Sequence, residues 1–252
     1  MHDEVLTIAD FAISRPGAIA TLESLGIDFC CKGGQTVEEA CRPTGITAGE
    51  LFAMTERIQT KVSRDWRCET MSATIRFIVD AHHVYTRDTL GALAPLAMKV
   101  RERHGGTREE LRVVERLVGE LASELVPHML KEEQILFPYI DAVEQASVAG
   151  NEPPVPFFGT ARNPIQKMML EHESAAEILR ELRLVTGDYA LPPSACASYA
   201  ALYSQLSALE SDLHRHIHIE NNILFPRAIE TEEKTRRTPV DQVLLAHSCG
   251  HD

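Results

Sequence analysis

The sequence lacks any apolar run that approaches the length of a membrane-spanning helix. It is also poor in aromatic residues, which make up 6% of its 252 residues and include a single tryptophan. Alanine, leucine and glutamate are abundant instead, and these residues favour helix. The hydrophobic fraction of 44% is ample for one sizeable core and a small additional domain. The composition therefore predicts a largely helical protein without a membrane span.

Positive charge is scarce as well. Lysine and arginine number 25 against 37 aspartates and glutamates, which gives a formal net charge of −12. A surface of this sign repels the phosphates of nucleic acids and the headgroups of anionic membranes. We therefore expect neither nucleic acid nor a membrane as a partner.

The cysteines lack the paired spacing that is typical of a secreted disulfide scaffold. The six cysteines are Cys30, Cys31, Cys41, Cys68, Cys196 and Cys249. We also expect no signal peptide at the start of the chain. Both expectations favour a reducing, cytoplasmic compartment.

Two stretches of the chain share one pattern, and they are its most informative feature. Residues 128–138 and 216–226 both contain His, Glu, Ile-Leu and Phe-Pro in the same order and at one constant offset. In each stretch a histidine precedes a glutamate by four positions; the pairs are His128 with Glu132 and His216 with Glu220. On an α-helix the two side chains of a pair lie on one face, one turn apart. An imidazole and a carboxylate in this arrangement can bind a transition-metal ion.

The repeat extends towards the N-terminus of each stretch. His83 lies some way before the first stretch, and His172 lies almost as far before the second. This repeated pattern therefore predicts two helical hairpins, which together form a four-helix bundle with approximate two-fold symmetry. Carboxylate-bridged di-iron bundles also place inward-pointing ligands on all four helices, although they use more glutamate and less histidine. The residues expected at the bundle centre are His83, His128, Glu132, His172, His216 and Glu220.

Each of these residues has a purely structural explanation too. A single histidine on an apolar face is more often a hydrogen-bonded core residue than a ligand, and glutamate is rarely buried without a partner. Six such residues on four successive helices are costly to bury unless something neutralises them. A metal centre would do so, and the joint pattern therefore favours metal binding.

The donor types narrow the choice of metal. Imidazole and carboxylate suit iron, zinc, manganese and copper, but six protein ligands exceed the needs of one tetrahedral zinc ion. They fit two ions, each with two histidines and both bridged by Glu132 and Glu220. Room would remain for an oxo or hydroxo bridge and a small external ligand. We therefore expect two iron ions per chain.

Other parts of the chain are organised around this bundle. We predict a small helical domain over residues 1–65, the bundle over 70–232 and a polar tail over 233–252. In the small domain, Thr36 and Thr47 each precede a glutamate by three positions, which is the capping-box pattern of a helix start. Pro95 is expected to kink or end the first bundle helix. Residues 142–163, rich in proline and glycine, are expected to form a long crossover loop.

For several further polar residues, both a functional and a purely structural role fit the sequence. Cys30 and Cys31 stand in a glycine-rich stretch and could form a redox or metal-delivery pair, although cysteine is often simply buried. His104 precedes two glycines and suits a capping role as well as ligation. Glu124 and Glu171 lie near the proposed ligands and suit either a place beside the metals or surface salt bridges. The histidines expected to be solvated are His82, His214 and His218.

With these residues in view, the chain resembles the di-iron iron–sulfur cluster repair proteins, the Repair of Iron Centres family, over nearly its whole length. Residues 26–34, with Cys30 and Cys31, and the following residues 36–41 are similar to the N-terminal domain of that family. The two stretches at 128–138 and 216–226 are similar to its hemerythrin-like domain. The departures are a longer proline-rich loop at 150–164 and the tail at 248–252.

The resemblance implies a non-haem di-iron centre with ligands from the four histidines and bridges from Glu132 and Glu220. It adds His104 as a further histidine near the metals, and Glu124 and Glu171 as carboxylates near the centre. It also implies a cytoplasmic stress protein that restores iron–sulfur clusters after nitrosative or oxidative damage. Damaged iron–sulfur proteins would be its clients, and nitric oxide would be bound or reduced at the di-iron site.

A different class of function also fits the same ligands. A hemerythrin-like protein that binds or senses dioxygen needs the metal centre but has no evident use for a Cys-Cys domain. The sequence leaves open whether nitric oxide, dioxygen or peroxide is the physiological ligand, and whether iron is donated. A homodimer is compatible with the sequence but not required by it.

Overall fold

The computed structural model of the protein describes residues 6–15, 17–56 and 65–246, with side chains described as far as residue 236. Within these ranges the ordered segments are α-helices, one short 3-10 turn and three π-helical segments. The only pairing of strand type among them is an isolated bridge between Thr7 and Thr36. The predicted all-α class is confirmed. None of the described helices is long and apolar enough to cross a membrane.

The N-terminal region is built from four short helices around a core of its own. They are α1 (Ile8–Ser14), α2 (Ala18–Ser24), α3 (Val37–Cys41) and α4 (Ala48–Glu56). Both expected capping boxes form, because Thr36 and Thr47 accept from the backbone N–H three residues on while the glutamate there reaches back. Phe11, Leu22 and Phe29 are fully or almost fully buried in this core, together with Ile217 from the bundle.

Four long helical rods form the remainder. The first consists of α5 (Met71–Phe77), a π segment (Ile78–His83) and α6 (Val84–His104). The second consists of α7 (Glu110–Lys131), a π segment (Glu132–Leu136) and α8 (Phe137–Ala149). The third is α9 (Arg162–Val185). The fourth consists of α10 (Ala197–Ile219), a π segment (Glu220–Leu224) and α11 (Phe225–Ala246). Helix α6 packs on α7 and α10, and α7 packs on α9.

Two apolar clusters divide the bundle along its length. One contains residues such as Leu93, Leu121 and Leu209, and the other contains residues such as Ile78, Ile140 and Phe225. The four predicted histidines and Glu132 fall between the segments that feed these two clusters, and Glu220 lies where the second cluster begins on the fourth rod. The polar layer is therefore closed off from water by apolar packing towards both ends of the bundle.

Three of the four rods widen into a π segment at the ligand positions. His83 ends one such segment, whereas Glu132 and Glu220 begin the other two. A π turn inserts an extra residue into the helix, and such turns are frequent at functional sites. The widening also changes which face a residue occupies, and Ile135, three positions after the buried Glu132, is 38% exposed.

Two expectations about proline are corrected. Pro95 does not end the first rod, since α6 continues through it to His104 and its neighbours Leu93 and Ala97 pack in the core; the alternative of a kink at Pro95 stays a prediction. The crossover loop is shorter than predicted, since α8 runs to Ala149 and stops at Gly150. Gly150 has a φ of 68°, a left-handed conformation that glycine adopts without strain.

The chain beyond residue 232 also differs from the expected tail. The fourth rod continues as helix to Ala246, and residues 247–252 lie outside the described residues. Glu232, at the predicted boundary, is buried and anchors the crossover loop. Its carboxylate accepts hydrogen bonds from the Tyr139 hydroxyl at 2.6 Å and from the Ala161 backbone N–H at 2.9 Å.

The buried Glu232 contacts lead to a stability prediction. The substitution Glu232→Ala leaves the Ala161 N–H and the Tyr139 hydroxyl buried without this acceptor, and should lower the free energy of unfolding by about 2 kcal/mol. Urea denaturation followed by circular dichroism measures the change. The neighbouring Glu233 forms an exposed ion pair with Arg162 at 2.7 Å, and Glu233→Ala should change stability by less than about 0.5 kcal/mol. Equal losses in the two variants would contradict the anchoring role.

Candidate metal centre

The structure brings the six predicted ligands together inside the bundle. All six are buried, with exposures of 0% to 1%. They form two groups that share both carboxylates and whose donor atoms are mutually close enough to hold an ion. The first group is His83, Glu132, His216 and Glu220, and the second is His128, Glu132, His172 and Glu220.

The imidazoles face each other in pairs through their Nε2 atoms. The distance between the Nε2 atoms is 3.2 Å for His83 and His216, and 3.0 Å for His128 and His172. Each pair joins one histidine from each predicted hairpin. The two-fold repeat seen in the sequence thus becomes two equivalent halves of one site.

Both carboxylates reach into both halves. Glu220 presents Oε1 to His216 Nε2 at 3.0 Å and Oε2 to His172 Nε2 at 3.1 Å. Glu132 places Oε2 at 3.4 Å from His83 Nε2 and at 3.3 Å from His128 Nε2. The two glutamates therefore occupy the positions that carboxylate bridges between two cations would need.

The outer nitrogens of three imidazoles are held by acceptors. His83 Nδ1 contacts Glu133 Oε1 at 2.7 Å, and His128 Nδ1 contacts Glu171 Oε2 at 2.9 Å. His172 Nδ1 contacts Asn221 Oδ1, also at 2.9 Å. A neutral imidazole that donates through Nδ1 presents a lone pair at Nε2, which is the form that binds a metal.

This arrangement places electron-rich atoms against one another. In the pair formed by His128 and His172, two Nε2 lone pairs would face each other at 3.0 Å if both rings were neutral. Among the described residues, both oxygens of Glu132 and Oε2 of Glu220 lack a hydrogen-bond donor although they are buried. Buried polar atoms without partners are unfavourable. The donor set therefore fits cations that would bind these atoms together.

The electrostatics of the site favour positive charge within it. Burial opposes a charged imidazole at His128, but the Glu132 carboxylate outweighs burial and raises the pKa of His128 to about 9. Burial and the charge of Glu220 oppose ionisation of Glu132, yet the histidines His128 and His83 lower its pKa to about 2. Burial likewise opposes ionisation of Glu220, whose pKa His216 and His172 nonetheless hold well below its ordinary value. Protons or metal ions would supply the compensating charge.

Sequence reasoning did not assign the residues that orient the histidines, although the repeat contains a signal for them. Glu133 follows Glu132 and supports His83, while Asn221 follows Glu220 and supports His172. The position after each bridging glutamate thus holds the histidine on the neighbouring rod. Arg87 and Lys131 in turn form ion pairs with the supporting carboxylates of Glu133 and Glu171.

The residues that precede His83 and His172 also contact the site, but each in a different way. Glu171 precedes His172 and supports His128, which agrees with its predicted position near the centre. His82 precedes His83, and its ring stacks on His216 with centroids 5.5 Å apart and planes 6° from parallel. The site is therefore symmetric in its ligands but not in the residues behind them.

The expectation that three flanking histidines are solvated is wrong for two of them. His82 is 6% exposed and its Nδ1 lies 3.0 Å from both oxygens of Asp212. His218 is 3% exposed against the N-terminal region, where burial lowers its pKa to about 4. His214 is half-buried. His218 is buried because the N-terminal region covers this face of the fourth rod, where Phe29 packs on it. His82, on the first rod, is buried against Asp212 and His216 of the fourth rod. Periodicity within one helix shows neither contact.

Two of the residues added by the family resemblance lie outside the site. His104 ends α6, and 21 residues of continuous helix separate it from His83, a distance of about 30 Å. Its Nε2 lies 3.2 Å from Cys196 Sγ instead, so the expectation of His104 as a ligand is corrected. Glu124 is exposed on α7 and belongs to neither ligand group.

The Cys-Cys pair lies in the N-terminal region beside the fourth rod. Cys30 is 2% exposed, Cys31 is half-buried, and their Sγ atoms are 3.9 Å apart. The neighbouring Cys31 thiol and burial raise the pKa of Cys30 well above its ordinary value. Asp28 completes a third group of potential ligands with the two thiols. Cys30 therefore stays protonated, and the protonated thiol is less reactive than the thiolate.

Comparison with known families agrees with this geometry. Residues 74–228, which include all six predicted ligands, match the hemerythrin HHE cation binding domain. The chain belongs to the hemerythrin HHE family. Residues 5–59 match a second family, described as a domain of unknown function, DUF542. The HHE match is a cation-binding domain by description, in keeping with the two histidine and glutamate groups.

Similar proteins align with this chain over nearly their full length. The chain is 34% identical to the iron-sulfur cluster repair protein YtfE of Edwardsiella ictaluri, over 88% of this chain and 96% of that protein. It is 32% identical to the YtfE protein of Pectobacterium atrosepticum, over 90% of this chain and 97% of that protein. It is 34% identical to a probable iron-sulfur cluster repair protein of Haemophilus influenzae, over 88% and 96% respectively.

The contact between His104 and Cys196 leads to a prediction about thiol reactivity. The hydrogen bond from His104, with help from backbone N–H groups at the start of α10, lowers the pKa of Cys196 to about 7. Because the thiolate is the reactive form, alkylation of Cys196 should accelerate with rising pH around a midpoint near 7. Peptide-resolved mass spectrometry after timed iodoacetamide labelling measures it. The variant His104→Ala should move the midpoint upwards, whereas Ser194→Ala, at an exposed site in the same loop, should not. An unchanged midpoint in His104→Ala would refute the pairing.

Proposed function

We propose that this chain binds two iron ions at the six clustered side chains and uses them in the repair of damaged iron–sulfur clusters. The single observation that supports it most is the convergence of four imidazoles and two buried carboxylates into two groups that share both glutamates. Imidazole and carboxylate donors suit iron, and the shared carboxylates match the bridging role in di-iron bundles. Relatives that carry both regions of the chain are named iron-sulfur cluster repair proteins.

Each protein residue has a defined part in this proposal. His83 and His216 would bind one ion, and His128 and His172 the other, through their Nε2 atoms. Glu132 and Glu220 would bridge them and neutralise their charge. When bound, the ions would supply one-electron redox chemistry and an open position for a small ligand such as nitric oxide. Their apolar surroundings limit access of water to that position.

The supporting residues would keep the imidazoles ready for metal. Glu133, Glu171 and Asn221 hold the Nδ1 protons of three histidines, which leaves their Nε2 lone pairs directed at the ions. Arg87 and Lys131 balance the charge of the two supporting carboxylates. Cys30 and Cys31, in the adjacent N-terminal region, would engage the client protein or relay electrons to the ions.

A dioxygen-binding protein is the alternative that the same ligand set supports. One observation favours repair over simple carriage: the loop with Cys30 and Cys31 is hydrogen-bonded to the rod that bears Glu220 and His216. A carrier has no evident need for thiols at that place. Cytoplasmic location and homodimerisation, both raised by the sequence, stay predictions.

The metal assignment predicts the iron content of defined variants. The native chain, reconstituted anaerobically with ferrous iron and desalted, should retain about two irons per chain. The double variant Glu132→Leu and Glu220→Leu removes both bridging carboxylates and should retain less than about a tenth of that iron. Elemental analysis measures the ratio. The exposed Glu124→Leu should keep the native content, and retention of two irons by the double variant would defeat the proposal.

The repair activity is tested separately. An iron–sulfur enzyme is inactivated with nitric oxide and then incubated anaerobically with the iron-loaded chain and a reductant. We expect its activity to return at least about tenfold faster than with the double variant. Loss of this effect in Cys30→Ser with Cys31→Ser, at unchanged iron content, would place the thiols in repair. No recovery by the native chain, together with reversible and long-lived dioxygen binding, would favour the carrier instead.

A further inference from the structure

The loop that carries the two thiols rests on the π segment Glu220–Leu224 through two consecutive asparagines. Asn221 Nδ2 donates to the Cys30 carbonyl at 3.3 Å. Asn222 Nδ2 contacts the Phe29 carbonyl at 3.2 Å and the same Cys30 carbonyl at 3.3 Å. The two asparagines are the first and second residues after Glu220. The thiol loop is thus attached to the rod at the position of the metal centre.

The two asparagines differ in what lies on their other side. Asn221 is 8% exposed, and its Oδ1 accepts from Nδ1 of the candidate ligand His172 at 2.9 Å. Asn222 contacts Nδ1 of His218, which belongs to neither ligand group. The Asn221 amide therefore connects the imidazole of the candidate ligand His172 to the backbone of Cys30. Asn222 contacts the loop but no candidate ligand.

The loop lies close against this rod. A Cβ atom at Gly33 would stand 2.2 Å from Asn222 Oδ1, so any larger residue there would displace the Asn222 side chain. The Gly33 carbonyl also accepts from the backbone N–H of Ala9 in α1 at 3.0 Å. The loop is held between α1 and the fourth rod, and Cys30 within it is 2% exposed.

We propose that Asn221 is a positioning residue that couples occupancy of the metal centre to closure of the loop over Cys30. A cation at His172 Nε2 withdraws electron density from the ring, which makes Nδ1–H a stronger donor to Asn221. Hydrogen bonds in a chain polarise one another, so the Asn221 amide then donates more strongly to the Cys30 carbonyl. The inference rests on the proposed metal centre and adds a route between that centre and the thiols.

The coupling acts in both directions. If bound metal favours the closed loop, displacement of the loop must weaken metal binding by the same factor. A client that engages Cys30 or Cys31 would therefore loosen the support of His172 and lower the hold on the adjacent ion. Iron release would then depend on engagement of the thiols.

The experiment measures opening of the loop rather than catalysis. The full chain is labelled anaerobically with iodoacetamide, with and without two equivalents of ferrous iron, and the Cys30 peptide is followed by mass spectrometry. The exposed Cys68 in the same chain is the internal reference. Iron should slow labelling of Cys30 about fivefold in the native chain, at the lower end of coupling between protein sites. The Cys68 rate should not change.

Three variants separate the route from simple packing. Asn221→Asp keeps the acceptor for His172 but loses the donor to Cys30, and iron should no longer slow labelling. Asn221→Ala removes both hydrogen bonds, and iron should not slow labelling in this variant either. It replaces the aspartate variant in the experiment if that variant does not fold. Asn222→Ala should label faster in both states because the loop is less firmly held, but the fivefold effect of iron should persist.

Each contrary result has a distinct meaning. Two irons bound by the native chain without slower labelling would overturn the coupling and leave the proposed function intact. Protection that persists in Asn221→Asp would also overturn it, because iron would then act without this amide, for example directly on the group Asp28, Cys30 and Cys31. Failure of the native chain to bind iron would remove both the metal centre and the coupling.

Discussion

The structure depends on how two ionised carboxylates are accommodated in an apolar interior. Glu132 and Glu220 are fully buried, and an isolated charge in such a place is strongly unfavourable. Four imidazoles surround them, and their positive charge or that of bound cations is what makes burial possible. Removing the compensating charge would leave the carboxylates without partners, so the site and the stability of the bundle depend on the same interaction.

The fold supports this interaction through its symmetry and its departures from it. Antiparallel rods place an apolar cluster on each side of the polar layer, and π segments widen three rods where the ligands lie. Supporting residues repeat with the ligands, as Glu133 and Asn221 do. His216 is the exception. Its ring stacks on His82, whereas His128, the corresponding histidine of the other half, is hydrogen-bonded to Glu171. The N-terminal region covers that same rod, and Ile217, the residue after His216, packs in its core.

Much of this architecture could be predicted from the sequence, because ligands on amphipathic helices repeat with the helical period and the two halves share one pattern. The bundle, the six clustered residues and the two capping boxes follow from such local rules. The π segments do not, since the one-residue shift that they introduce is not distinguishable from ordinary scatter of apolar positions along a helix. The burial of His82 and His218 does not either, because it depends on contacts with residues far away in sequence. Family resemblance suggested His104 as a ligand, but about 30 Å of continuous helix prevents it.

We expect two cations to bind between these imidazoles. The most direct measurement is anomalous X-ray diffraction at the iron absorption edge, from crystals of the chain reconstituted with ferrous iron. We predict two anomalous peaks, one between His83 and His216 and one between His128 and His172, with Glu132 and Glu220 in contact with both. The absence of a peak within the bundle, or iron found only beside Asp28, Cys30 and Cys31, would contradict the claim.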